Sequence, residues 1–522
     1  MLLTFCLLLL GGGMYLHRFS QNVGPLAKER VIKALSDRFN ADVTLQSLQV
    51  SLFPQPSVVG EGLAIRHKQW PDQHPLIWIR RFYARTSFLT LANRSNYVSL
   101  VRLEGLAIRI PPRGRAALAH SLEANGGVEG AEVGRDTTQF QFLIETIVAD
   151  GTLLEILPKV EGKEPLQFDI QKLTMRPVGP MRPMAFTAKL INAKPPGLID
   201  TTGSFGPWQK DDPGATPVSG DYNFKNADLS VFSGISGILS STGKYDGVLQ
   251  QIDVKGTTDT PTFALTRGGE PVHLTTTFHS IVDGINGDTI LDPVDAKFGN
   301  SEFICRGGAT QQKGPKGKTV SLDARTTHAR MEDILLLIVG DKPLLTGDVD
   351  FRSKIVIPPG KEDMLDKLGL AGQFRLLEAR FTSEKVEQRL RTLSDRARGI
   401  SKSEEEEGKG VHGNVASDLA GAFKLDKGVT SFSRLSFSVP GALIRLAGNY
   451  NLRTGQIDMR GVFRMQATLS DTQSGMKHLL LKPVDPLFKK DGAGFEVPIT
   501  IAGTRDHPSI EADAFHKHFT IH

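Results

Sequence analysis

The sequence predicts a mainly β protein made of many short strands joined by turns, and two observations carry that expectation. The chain combines 53 Gly and 29 Pro with only 7% aromatic and 23% charged residues, which suits frequent turns better than long helices. Its clearest hydrophobic pattern has a period of two: Leu435, Phe437 and Val439, then Ile457, Met459, Phe463, Met465, Ala467 and Leu469. Between the residues of the second run stand mainly Asp458, Arg460, Arg464, Gln466 and Thr468. One face of such a strand is apolar and the other is wetted. A length of 522 residues is compatible with several ordinary domains or with one extended sheet that grows strand by strand.

In chain order, residues Leu2 to Leu16 are almost wholly apolar, with Leu2, Leu3, Phe5, Leu7, Leu8, Leu9 and Leu10 as the membrane-contacting set. About 15 residues is short of the roughly 20 that a helix needs to cross the hydrocarbon core. Tyr15, Leu16, His17, Arg18 and Phe19 offer no small-x-small cleavage site, so an uncleaved anchor fits better than a signal peptide. No basic residues precede the apolar run, which leaves its orientation open. Cys6 is not read as a lipid-attachment site, because bulky Phe5 precedes it.

Pro25 opens an amphipathic helix in which Ala27, Val31, Leu35 and Phe39 recur at helical spacing. The period then changes to two, with Val43 and Leu45 followed by Leu48, Val50 and Leu52; the slip at Ser47 predicts a bulge or a change of strand. Further strands are predicted at Leu76 to Phe88, Val98 to Ile110, Phe142 to Leu157, Phe186 to Ile191 and Lys354 to Ile357. Three helices interrupt them. Met331 to Val339 reads as a short buried helix, Glu384 to Arg398 carries Val386, Leu390, Leu393 and Ala397 on one face, and Gly475 to Leu481 is a third. The polar stretch Ser401 to Gly413, with Glu404 to Glu407, reads as a flexible loop, as do Ala117 to Arg135 and Pro207 to Pro217.

The signatures of chemistry come back empty. Gln312 to Thr319 ends like a phosphate loop but has Gln where the first Gly must stand, and it reads as a basic hairpin turn. The 13 His are dispersed, with His516 and His518 the nearest approach to a pair, and the two Cys are too few for a zinc site or a disulfide framework. Asp211 and Asp212 lie in a Pro/Gly loop where solvation accounts for them. There is no G-x-S-x-G and no H-E-x-x-H. The reading is therefore a protein that is not an enzyme, with no catalytic residues, no cofactor and no metal. A net charge of +5, with 62 Lys and Arg scattered among 57 acids, leaves no nucleic-acid stripe.

Two regions resemble the AsmA family, which belongs with TamB to a group of envelope proteins of diderm bacteria. In the first, the apolar segment and helix are followed by Asp42-Val43-Thr44-Leu45, Val50-Ser51-Leu52-Phe53-Pro54, Gly62-Leu63-Ala64-Ile65 and Leu103 to Ile110. The second runs from Pro343-Leu344-Leu345-Thr346-Gly347 through Leu393-Ser394 to Val439-Pro440-Gly441-Ala442. It continues with Leu446-Ala447-Gly448-Asn449-Tyr450 and Val497 to Thr504. Residues 115 to 325 match only in texture. The resulting segments are an anchor (1–18), an N-terminal helix and strands (19–115), a central β region (116–325) and a C-terminal region (326–522) holding helix 384–398 and loop 401–413.

This resemblance implies an inner-membrane protein with a single anchor and its body in the periplasm. The body would be a long, curled, mostly antiparallel sheet forming an open groove, with a few short amphipathic helices. It also implies a role in outer-membrane biogenesis, with phospholipid carried along the apolar face. Some 25 to 30 strands at about 4.8 Å would make a groove on the order of 120 to 140 Å long. Met459, Phe463, Met465, Leu469, Phe437 and Val439 would then contact acyl chains. Alternating apolar residues ordinarily pack against a second layer, so the choice depends on whether such a layer exists. The alternative is a scaffold or assembly factor acting on outer-membrane protein insertion with outer-membrane assembly components as partners, a sheet edge holding client strands.

Overall fold

The structure is a computed structural model. It describes residues 25–33, 35–36, 41–67, 75–88, 97–110, 143–156, 166–178, 182–207, 209, 212–266, 268–312, 317–338, 343, 345–360, 362–398, 417–466, 495–504, 507–514 and 517–521. The apolar leader, loops 117–135 and 401–413, the third predicted helix at 475–481, Asp211, Leu469 and His516 lie outside them. The protein is mainly β, with one large, mostly antiparallel sheet that is not closed into a barrel and few helices. No helix among the described residues is long and apolar enough to cross a membrane.

Packing divides the chain into two compact units. One holds Met1–Asp228, Leu239–Gly256 and Val282–Gly287; the other holds Leu229–Ile238, Thr257–Ile281 and Asp288–His522. This division does not follow the segment boundaries read from the sequence near residues 115 and 325.

In the first unit the predicted phase slip is a change of strand. Ala41–Thr44 and Ser47–Ser51 are separate strands that pair with the two halves of one long strand, Ser57–His67. Gly62 stands opposite the break with φ +64, and a Cβ there would meet the Gln46 side chain at 2.3 Å. Only glycine accepts both conditions. Beyond it the strands follow one another as antiparallel neighbours, except that Tyr97–Ile110 and Leu143–Ile156 are parallel. Across that parallel pair Arg109 Nε donates to the nearly buried carboxylate of Glu155, which also accepts from Gln167 Nε2 at 2.7 Å. The N-terminal helix lays Val31, Ile32 and Leu35 on Val43, Leu63, Ile65 and Ile79. That contact is what its apolar stripe at i, i+4 spacing anticipates.

In the second unit antiparallel strands run in sequence from Thr289–Phe298 to Lys517–Ile521. The phosphate-loop look-alike joins Ser301–Gln311 to Lys318–His328, which pair antiparallel with Gln311 opposite Lys318. That is a strand-to-strand connection, although residues 313–316 themselves are outside the described set. Two helices lie on this unit's sheet. Met331–Ile338 forms where expected, but the expectation that it is buried is wrong: none of its residues is buried, and Ile338 is 51% exposed. Met331 and Ile334 pack on the sheet, while Leu336 and Leu337 accept through their carbonyls from Glu270 N and Gly269 N. Glu384–Ala397 packs Leu390, Leu393 and Ala397 against Val439, Ala442, Met465 and Val497.

The docking of that second helix is polar as well as apolar. Ser394, fully buried, donates to Pro440 O at 2.8 Å, buried Asp395 receives Arg398 at 2.6 Å, and buried Glu387 accepts from Phe381 N at 2.9 Å. Removing a buried donor leaves its acceptor without a partner, which costs about 1–3 kcal/mol. Ser394→Ala is therefore expected to lower unfolding stability by about that amount, read as a shift of the urea midpoint with an unchanged slope.

Candidate functional site

Cross-strand register builds the candidate site. Residues directly opposite one another in a ladder share a face. In the second unit one such row runs Leu322, Ile355, Leu370 and Leu425; another runs Phe351, Phe374, Gly421, Leu435, Leu446, Gly461 and Ile499. Phe423 lies opposite Phe432 and Gly372, and Met459 lies between Gly448 and Ile501. The alternate positions are charged or polar. Arg306 faces Asp323, which faces Lys354; Arg325 faces Arg352, which faces Gln373; Arg375 faces Asp350. All of these polar side chains are exposed, whereas Leu322, Ile355, Phe374, Phe423, Leu446 and Met459 are half-buried and Leu425 is buried. The unit thus presents an apolar face and a charged face of the same sheet.

Aromatic rings form the middle of the apolar face. Phe423 stacks on Phe351 with ring centroids 6.1 Å apart and lies 6.3 Å from Phe374. Spacings of this order contribute beyond simple area burial, by about 0.5–1.5 kcal/mol per pair. Cys305 is half-buried on the same face, opposite Val294 and Ala324, and burial followed by the nearby Asp295 charge pushes its thiol up, away from the thiolate.

Of the six side chains predicted to meet acyl chains, Val439 and Met465 are buried beneath the Glu384–Ala397 helix, and Phe437 and Phe463 pack at its margin. Met459 is half-buried on the same face, farther along the strand from that helix contact. The strand that carries it ends at Met465. Period-two reading finds the correct face but not which part of it a helix occupies. Phe374 and Phe423, which cluster with Phe351, sit in strands whose alternation is interrupted at Gly372 and Gly421, so their pattern is less regular in sequence. Their shared face becomes visible only through register.

The first unit carries a different surface on the face shared by Ile199 and Phe224. Thr201 lies 2.9 Å from Asp221 O, to which it donates, and 2.8 Å from the Tyr245 hydroxyl, while Tyr222 and Ser241 lie 3.0 Å apart. Burial raises both tyrosine hydroxyls above their ordinary value of 10.0. Each shift is partly offset by its hydrogen bond, and at Tyr245 the Asp221 charge raises it further.

The Met331–Ile338 helix is pinned at its start. Asp333 accepts from Asn300 N at 2.8 Å and from fully buried Ser301 Oγ at 2.7 Å; Glu332 accepts from Arg330 Nε at 2.8 Å and Gly347 N at 3.2 Å. Both acids sit in the first turn, where the helix dipole favours them. Burial alone would raise Glu332, but the hydrogen bonds from its own backbone, Arg330 and Gly347, together with the Arg330 charge, hold it below 4.5. Among the described residues no three His, Cys, Asp or Glu side chains gather as a metal site. No family model, no curated protein and no solved structure matches this chain.

A carboxylate whose folded value is depressed adds stability above its unfolded value and loses it as pH falls through the folded one. Wild-type stability is expected to decline below about pH 4.5. Glu332→Gln should lie below the wild type at neutral pH and show a shallower acid decline, as checked by urea titrations across pH 3–7.

Proposed function

We propose that this protein is a non-enzymatic, membrane-anchored handler of phospholipid acyl chains in a diderm cell envelope. On this reading the apolar leader holds the chain in the inner membrane, the body lies in the periplasm, and the sheet curls into a groove that serves outer-membrane biogenesis. The observation that supports it is the apolar face of the second unit, which continues from strand to strand while the only elements packed on it among the described residues are helices and short segments. A second sheet layer would have made this face an ordinary core. Sheltering each methylene from water is worth about 0.8 kcal/mol, so a row of half-buried Leu, Ile and Phe can hold a chain while its head group remains hydrated. On this proposal Phe351, Phe374, Phe423, Leu446 and Met459 line the path. Val439 and Met465 anchor the helix that borders it.

A scaffold function keeps a place because the last strand, Lys517–Ile521, pairs only with Pro508–Ala514 among the described residues and so offers an edge for another strand.

The full chain, purified from cells in mild detergent and examined by native mass spectrometry, should carry phospholipid. Phe374→Asp with Phe423→Asp should reduce bound lipid at least tenfold while circular dichroism stays β-rich. Lipid-free wild type would sink the acyl-chain reading and favour the strand edge.

A further inference from the structure

The strands of the second unit have two ends, and a connected set of contacts joins one to the other. At the first end the Met331–Ile338 helix links strand Lys318–His328 to strand Leu345–Ile357; at the second end residues 358–368, with the short helix Met364–Lys367, link Leu345–Ile357 to Gly369–Phe381. The last carbonyls of the first-end helix, Leu336 and Leu337, accept from Glu270 N at 2.9 Å and Gly269 N at 2.8 Å. The neighbouring Thr266 N donates to Gly234 O at 3.1 Å, and Ile235 and Ser236 pair with Leu265 and Ala264. Gly234 therefore belongs to the first end. Yet its α-carbon lies against Met364 at the second end: a Cβ there would stand 3.0 Å from Met364 Cγ, and its φ is +94.

A straight strand of 13 residues would hold its ends about 40 Å apart. Residues 229–237 therefore link the two ends of the strands. The link runs over the apolar side, because the helix that carries the junction sets Met331 and Ile334 on Val349 and Leu376, a facing pair on the same side as Phe351 and Phe374. The near side of this roof is hydrogen-bonded throughout. At the far side Gly234 touches the flexible Met364 side chain, whose short helix is held in turn by Arg453 on Asp366 at 2.7 Å and Asp363 at 3.5 Å.

We infer that this roof is a gate that discriminates lipids by head group: a bare acyl chain lies beneath it while it is closed, and a phospholipid passes only when Met364 parts from Gly234. The inference rests on the acyl-chain reading of the face. A charged head group cannot follow its tails under a closed apolar roof without losing water, whereas a fatty acid can leave its single carboxylate outside.

The test uses the full chain with Cys6→Ser and Cys305→Ser, a photoreactive amino acid replacing Leu322, and cysteines in place of Ile235 and Met364, joined by a short cleavable bis-maleimide. The probes are palmitate and vesicles of phosphatidylglycerol, read as adduct mass at position 322. Before bridging, both probes should crosslink. The bridge should leave palmitate unchanged and reduce phosphatidylglycerol at least tenfold, and cleaving the linker should restore it. Equal phosphatidylglycerol labelling with the bridge intact, or equal loss of both probes, overturns the gate. If neither probe labels any form, the acyl-chain reading itself fails.

Discussion

The structure depends on cross-strand register keeping apolar side chains on one face of the sheet. Each ladder is cheap to extend, because a new strand satisfies its backbone groups on its neighbour and adds its apolar residues to an existing row. A slip of one residue would turn a whole strand inside out. The tight inter-strand hairpins, such as Asp426 opposite Val429 and Val439 opposite Ala442, hold that register locally.

A sheet with one apolar face must cover it, bend round it or leave it to a ligand, and in this chain helices cover part of it. The N-terminal helix covers part of the first unit, and the Glu384–Ala397 helix covers the strand ends at Val439 and Met465. Between the helices in the second unit most residues of the rows stay half-buried. Polar pinning explains how short helices stay on such a surface. Ser394 on Pro440 and Asp333 on Ser301 fix position and direction, which nonspecific apolar contact does not.

The first unit handles the same problem differently. The face shared by Ile199 and Phe224 carries paired tyrosine, threonine and serine hydroxyls, where the second unit has stacked phenylalanines. The two halves of the chain are thus chemically unlike despite similar strand lengths and spacing.

The alternation from Ile457 to Met465, the slip at Ser47 and the helical stripe at 384–398 were legible in sequence because each depends on near-neighbour periodicity. So was the one-sidedness of the strands. What the sequence did not contain was the partner of each face. Val439 and Met465 alternate like Met459, and only the path of the chain after Phe381 decides that a helix lies on the first two. The Met331–Ile338 helix looked buried because its residues are apolar nearly all round, but burial depends on how much surface surrounds a helix, and here Met331 and Ile334 pack on the sheet while Ile338 stays exposed. The contact of Gly234 with Met364 joins residues 130 positions apart, a property of the whole unit that no local pattern encodes.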